Sequence, residues 1–127
     1  MNLDEKKKII QEYIDAYNRF DIDNMLSLLS DDVVFENIQN NEINASSKGK
    51  VEFRELAESA KTIFSERKQT IVNITDSIEK TSVEISYYGR LACDLPNGMK
   101  LGDEWNLNGI SEFVFSNGKI ILLRDLS

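Results

Sequence analysis

At 127 residues the chain is long enough to bury one hydrophobic core and too short for two. Hydrophobic residues make up 41% and charged residues 29%, ordinary globular values that exclude a disordered chain. The net charge of −7 fits solubility and argues against nucleic-acid or anionic-membrane partners, since either needs a basic footprint. The opening "MNLDEKKK" carries acids and lacks an apolar block with a cleavage site behind it, so no signal peptide is expected. Residues 4–20 place Ile10, Tyr13, Ile14 and Tyr17 three and four apart, the period of an amphipathic helix, with Asp4 as its cap. Asp21 caps a second, short helix that turns Ile22, Met25, Leu26 and Leu29 inward.

"DDVVFEN" follows as a strand. Alternation puts Val33, Phe35 and Asn37 on one face, and an amide on an apolar face must find hydrogen bonds or cost stability. Residues 38–48 are polar and without period, so they are expected to form a loop, ended by Gly49. The third helix spans 50–66, with Phe53, Leu56, Ala57, Ala60, Ile63 and Phe64 as its buried stripe. Four strands come last: 68–80, 81–95, 103–115 and 119–126. "PNG" at 96–98 makes a turn, and Asn117-Gly118 makes a tight hairpin. Helices bunched early and strands bunched late predict an α+β fold in which a curved, mostly antiparallel sheet wraps three helices, as one domain over 1–127.

The chain has no histidine, which removes histidine bases, Ser-His-Asp and Cys-His arrangements, and the usual zinc and iron sites. No glycine loop suited to phosphate is visible, so neither a metal nor an organic cofactor is implied. Cys93 is alone and cannot form an internal disulfide; it reads as a small buried hydrophobe. With no apolar run long enough to span a bilayer, the cytoplasm is the expected location.

On the strand "WNLNGISEFVF", Trp105, Leu107, Gly109, Ser111, Phe113 and Phe115 share a face. They suit either plain core or the lining of an apolar ligand pocket with Ser111 as a polar orienting point. Gly109 leaves space or marks a bulge. On the last strand, Ile121, Leu123 and Asp125 alternate with Ile120, Leu122 and Arg124, and parity does not choose between the faces. Asp125 either enters a pocket, where desolvation raises its pKa, or lies solvated near the chain end.

The element order, with "DDVVFEN", the "KGK" that opens the third helix and "SNGKI" before the last strand, resembles the nuclear transport factor 2-like superfamily. That group includes SnoaL-like polyketide cyclases, ketosteroid isomerases and limonene epoxide hydrolases. The resemblance implies a cone-shaped, cystatin-like fold with a pocket between concave sheet and helices, a small apolar ligand, and a homodimer through the outer sheet face. Tyr13, in "QEYI", matches the tyrosine of the ketosteroid isomerases, whereas their base falls on Asn37 and their oxyanion acid on Ser111. The epoxide hydrolases hold their water with an asparagine matched by Asn37 and activate it with an aspartate matched by Asp125, preceded by Arg124. Their tyrosine is Phe35 here, and their Arg-x-Asp becomes Tyr88-Gly89-Arg90. Within a pocket, Arg90 could pair with Asp125.

The resemblance needs Tyr88 and Arg90 inside, yet alternation groups Val83, Ile85 and Tyr87. A bulge at Gly89 would move Arg90 but not Tyr88. Three functions follow. One is an enzyme with Asp125 as base, Asn37 holding water or substrate, and Tyr13 and Ser111 as donors. Another is a binding protein using the same pocket, with Ser111, Arg90, Tyr88, Trp105, Leu107, Phe113 and Phe35 against the ligand. The last is a dimerisation module with a filled interior.

Overall fold

The computed structural model describes all of residues 1–127. The elements are α1 (Leu3–Asn18), α2 (Ile22–Ser27), β1 (Leu29–Gln39), β2 (Glu42–Lys48), α3 (Gly49–Lys61), β3 (Phe64–Asp76), β4 (Thr81–Leu91), β5 (Glu104–Ser116) and β6 (Lys119–Leu126). One six-stranded sheet runs in the order β2-β1-β6-β5-β4-β3. Every neighbouring pair is antiparallel except β1 and β6, which are parallel. This is an α+β architecture with three helices, of which α2 has only six residues.

The cap of α1 is Asn2, not Asp4. Its side chain accepts from the Glu5 amide at 2.9 Å, and the Glu5 carboxylate accepts in return from the Asn2 amide, a reciprocal capping box. Asp4 then lies within the first turn, where its charge favours the positive helix end. Asp21 caps α2 as the sequence predicts, accepting from the Asn24 amide. Helix α1 ends with Asp21 N–H donating to the Ala16 carbonyl and Phe20 N–H to that of Tyr17. This closure needs a left-handed residue, ordinarily glycine, and here Phe20 adopts it with φ 60°.

The predicted loop at 38–48 is instead the end of β1, a two-residue turn and the whole of β2. Asn40 and Asn41 both have positive φ, at 52° and 65°, which brings β2 back along β1. Asparagine tolerates this conformation better than other side chains, so Asn-Asn does the work usually signalled by Asn-Gly. Helix α3 also stops short of the predicted end. Ile63 and Phe64 lie beyond Lys61, and Phe64 opens β3.

The core lies where α1, α2 and α3 cover one face of the sheet. Ile10, Tyr13, Ile14 and Ala16 of α1, Met25 and Leu26 of α2, and Phe53 and Ala57 of α3 meet Val33, Val83, Ile85, Phe113 and Leu123 from the strands. Phe113 is fully buried; its side chain alone withdraws enough apolar surface to contribute about 2–3 kcal/mol. No helix is long and apolar enough to cross a membrane.

Candidate functional site

A bulge decides which way Asp125 points. Val114 pairs with Leu122 and Phe115 with Ile120, so Ile121 is the extra residue on β6. Ile120 and Leu123 are therefore both buried in the core, although their separation in sequence would put them on opposite faces of a regular strand. After the bulge, Leu123 and Asp125 face inward. Arg124 faces outward, where its Nε donates to Glu36 at 2.7 Å. Grouping Ile121 with Leu123 and Asp125 is thus incorrect, because uninterrupted alternation fails at residue 121.

Three adjacent strands carry Asn37, Asp125 and Ser111 at one level. Asn37 of β1 pairs in register with Asp125 of β6, and Asp125 with Ser111 of β5. All three line a cavity of about 250 Å³ between the sheet and the C-terminal turn of α1, and half of its lining residues are apolar. Ser111 is 5% exposed and its hydroxyl donates to Asp125 Oδ1 at 2.7 Å. Burial pushes the Asp125 carboxyl up to about 6, while the Ser111 hydrogen bond pulls the other way.

Along β1, α3 accounts for the different fates of residues on the inward face. Phe35 is covered by the helix, its ring edge-on to Phe53 at 5.6 Å, and it does not line the cavity. Asn37 lies two residues further on and reaches the opening. Its Nδ2 donates to Asn44 Oδ1 at 2.7 Å, and Asn44 Nδ2 donates to Gln39 Oε1 at 3.1 Å. This amide chain along the rim satisfies Asn37 and leaves its own oxygen to accept. Gly109 opposite is required by close approach: a Cβ there would stand 2.7 Å from the Leu126 carbonyl oxygen. The end of β6 is fixed further by Ser127 N–H, which donates to the Ile38 carbonyl at 2.9 Å.

Several predicted site residues lie elsewhere. Tyr13 is core, edge-on to Phe113 at 6.1 Å, and is not among the lining residues. Its pKa is raised well above the usual tyrosine value by burial first and then by the Asp125 charge. Phe113 is likewise core, whereas Trp105 and Leu107 do line the cavity. Arg90 does not meet Asp125: it is exposed and its Nη2 donates to Glu104 at 3.0 Å. Tyr88 shares its outward parity. The pairing of β4 with β5 continues past Gly89 without a shift, so no bulge turns either residue inward. Gly89 instead makes room for Phe64, whose ring would stand 2.8 Å from an added Cβ.

The cavity also holds Tyr17, Phe64, Gln69 and Tyr87, none of them named as site residues from sequence. Parity groups Tyr87 with Val83 and Ile85, both buried, and Tyr17 follows Tyr13 by one turn of α1. Their meeting depends on the docking of α1 against β3. Asn18 fixes it by accepting from the Gln69 amide at 2.7 Å and donating to the Gln69 carbonyl at 3.1 Å.

The family model of the SnoaL-like domain matches residues 10–123. No curated protein matches the sequence. Solved structures share the fold at low identity. A polyketide cyclase candidate from Xanthomonas campestris pv. campestris is 18% identical, with a TM-score of 0.86, covering 100% of this chain and 93% of its own. TerC co-crystallised with polyporic acid is 13% identical, with a TM-score of 0.75 over 95% of this chain and 89% of its own. A protein with a ketosteroid isomerase-like fold from Catenulispora acidiphila, in complex with trimethylamine, is 12% identical, with a TM-score of 0.74 over 92% of this chain and 82% of its own.

Proposed function

Because the chain belongs to the SnoaL-like domain family, we propose that it is a cofactor-independent enzyme, a hydrolase or isomerase, that acts on a small, largely apolar molecule. The single observation that carries this reading is Asp125. A carboxylate held in a cavity, accepting from Ser111 and raised to about 6, is mostly ionised at neutral pH yet basic enough to take a proton. Asn37 at the same level would position the substrate or an attacking water through its free oxygen. Trp105 and Leu107 supply apolar wall. The fold neighbours crystallised with polyporic acid and with trimethylamine support a small-molecule ligand.

The test is turnover of a panel of small enolisable ketones and epoxides, followed by NMR and mass spectrometry. Asp125→Asn is expected to abolish conversion, and Asn37→Ala to reduce it. Unchanged turnover in both variants would refute the assignment. A binding protein without chemistry is the second reading, favoured by the engagement of Asn37 with Asn44. Release of a chemically altered compound would count against it. In either case we expect one cytoplasmic domain over 1–127 that pairs as a homodimer through the outer sheet face.

A further inference from the structure

The level of the cavity that holds Asp125 is short of donors. Ser111 commits its proton to Asp125 Oδ1, and no second side-chain donor reaches that carboxylate. Asn37 turns its nitrogen to Asn44, which leaves its oxygen free at the same level. The two residues pair in register on neighbouring strands, so their side chains leave the sheet about 4.8 Å apart. A small group carrying two hydrogens can reach both oxygens across that gap. Asp125 is also the only charged side chain in the lining, where no lysine or arginine joins it. Buried charges are ordinarily paired, and an unpaired one is costly.

No neighbouring element supplies the missing positive charge. The titratable groups facing Asp125 are phenols, Tyr13 and Tyr17 of α1 and Tyr87 of β4. Each has its pKa raised by burial, and further by the Asp125 charge. The Tyr17 and Tyr87 hydroxyls, 3.0 Å apart, bond to each other. Arg67 of β3 is buried behind Tyr17, its guanidinium carbon 3.7 Å from the ring centre, and does not line the cavity. Its Nε donates to the Tyr17 carbonyl at 3.0 Å, at the negative end of α1. The walls of the cavity are aromatic: Phe64 stands between Tyr87 and Trp105, with ring centres 6.1 and 6.2 Å away. Aromatic faces are electron-rich and favour positive charge and the polarised alkyl groups beside it. The net charge of −7 draws cations toward the chain as a whole.

We propose that the cavity takes an organic cation, a protonated primary or secondary amine whose N–H groups are donated to Asp125 Oδ2 and Asn37 Oδ1 and whose apolar body lies against Phe64, Tyr87 and Trp105. A tertiary amine carries one hydrogen on its nitrogen and leaves one of the two oxygens unmet. At a water's share of about 30 Å³ per heavy atom, the cavity of about 250 Å³ holds about eight to ten non-hydrogen atoms. The ligand is therefore an amine with one small ring or a short alkyl chain. This names the ligand class of the site already described. It rests on the reading of the cavity as a small-molecule site, which the enzyme and the binding protein share, and not on Asp125 acting as a base.

The test titrates three probes of one shape into the full chain: phenethylamine, a cation at neutral pH; 2-phenylethanol, which is neutral; and phenylacetate, an anion. Calorimetry at about pH 7.5 in about 0.2 M salt screens attraction to surface acids. Phenethylamine is expected to saturate a single site with an affinity about tenfold above that of 2-phenylethanol, and phenylacetate to bind more weakly than either. Asp125→Asn should lower the amine affinity about tenfold and the alcohol affinity less than about twofold, and Asn37→Ala should act in the same direction by a smaller factor. N,N-dimethylphenethylamine should bind more weakly than the primary amine. Saturating amine should also move the midpoint of the Asp125 carboxyl, read by carbon NMR, to lower pH, because a bound cation favours the ionised form; the alcohol should leave it in place. Absence of saturable amine binding, equal affinities for amine and alcohol, equal losses of both in Asp125→Asn, an amine affinity untouched by that variant, equal or tighter binding of the dimethylated amine, or an unmoved carboxyl midpoint would each overturn the proposal. Failure of the base assignment would appear separately, as turnover that survives Asp125→Asn in the otherwise native chain.

Discussion

Asp125→Asn should make the protein more stable at neutral pH. The carboxyl rises from its ordinary 3.8 to about 6 on folding. Between those values the folded chain keeps a proton that the unfolded chain has released, so stability falls as pH rises through that window. Below 3.8 the penalty is absent, and above about 6 it is complete. A rise of about two units corresponds to about 3 kcal/mol. The asparagine oxygen can still accept from Ser111, but its new N–H groups need partners in a half-polar cavity, which offsets part of the gain. The net expectation at neutral pH is a gain of about 1–3 kcal/mol, or a rise in Tm of roughly 4–10 °C for a chain of this length. Denaturant unfolding of both proteins at about pH 4 and about pH 7.5 measures it, with the gap nearly closed at the lower pH. The difference between the two proteins cancels the titration of the other carboxylates. A variant no more stable at neutral pH, with a gap that does not change with pH, would refute the reasoning.

Ser111→Ala removes the hydrogen bond that holds the Asp125 carboxyl down, so the acid limb of any activity profile, expected near 6, should move higher. Gly109→Ala should destabilise the fold by about 1–3 kcal/mol in thermal unfolding, because its Cβ would meet a backbone carbonyl that cannot swing aside. Asn41→Gly should stabilise by a few tenths to about 1 kcal/mol, since φ 65° suits glycine better than any side chain; equilibrium unfolding reads it directly.

The β-rich half of the chain was legible because its period is two and its turns carry the expected residues. Periodicity puts the last strand at 119–126, as observed, and Asn117-Gly118 turns into it. The hairpin at residues 40–41 was not legible, because Asn-Asn in a polar stretch lacks glycine and β2 has almost no buried face to impose a pattern. The cavity was legible in part. Asn37, Ser111 and Asp125 do line it together, but that follows from strand order and from a one-residue bulge at Ile121 that no local signal announces. Family correspondence points Tyr88 and Arg90 inward, against the alternation that groups Val83, Ile85 and Tyr87, and the unshifted pairing of β4 with β5 leaves both on the outer face. The meeting of Tyr17, Tyr87 and Arg67 is not legible in the sequence because it is tertiary: a helix end, a strand middle and a neighbouring strand meet only once α1 is docked.

The most direct measurement is an NMR titration of the Asp125 side-chain carboxyl carbon in the ligand-free protein, assigned by its absence in Asp125→Asn. A carboxylate buried in the cavity titrates near 6. A midpoint at the ordinary 3.8 would mean that water solvates it freely, and the proposed base would have no perturbed environment to act from.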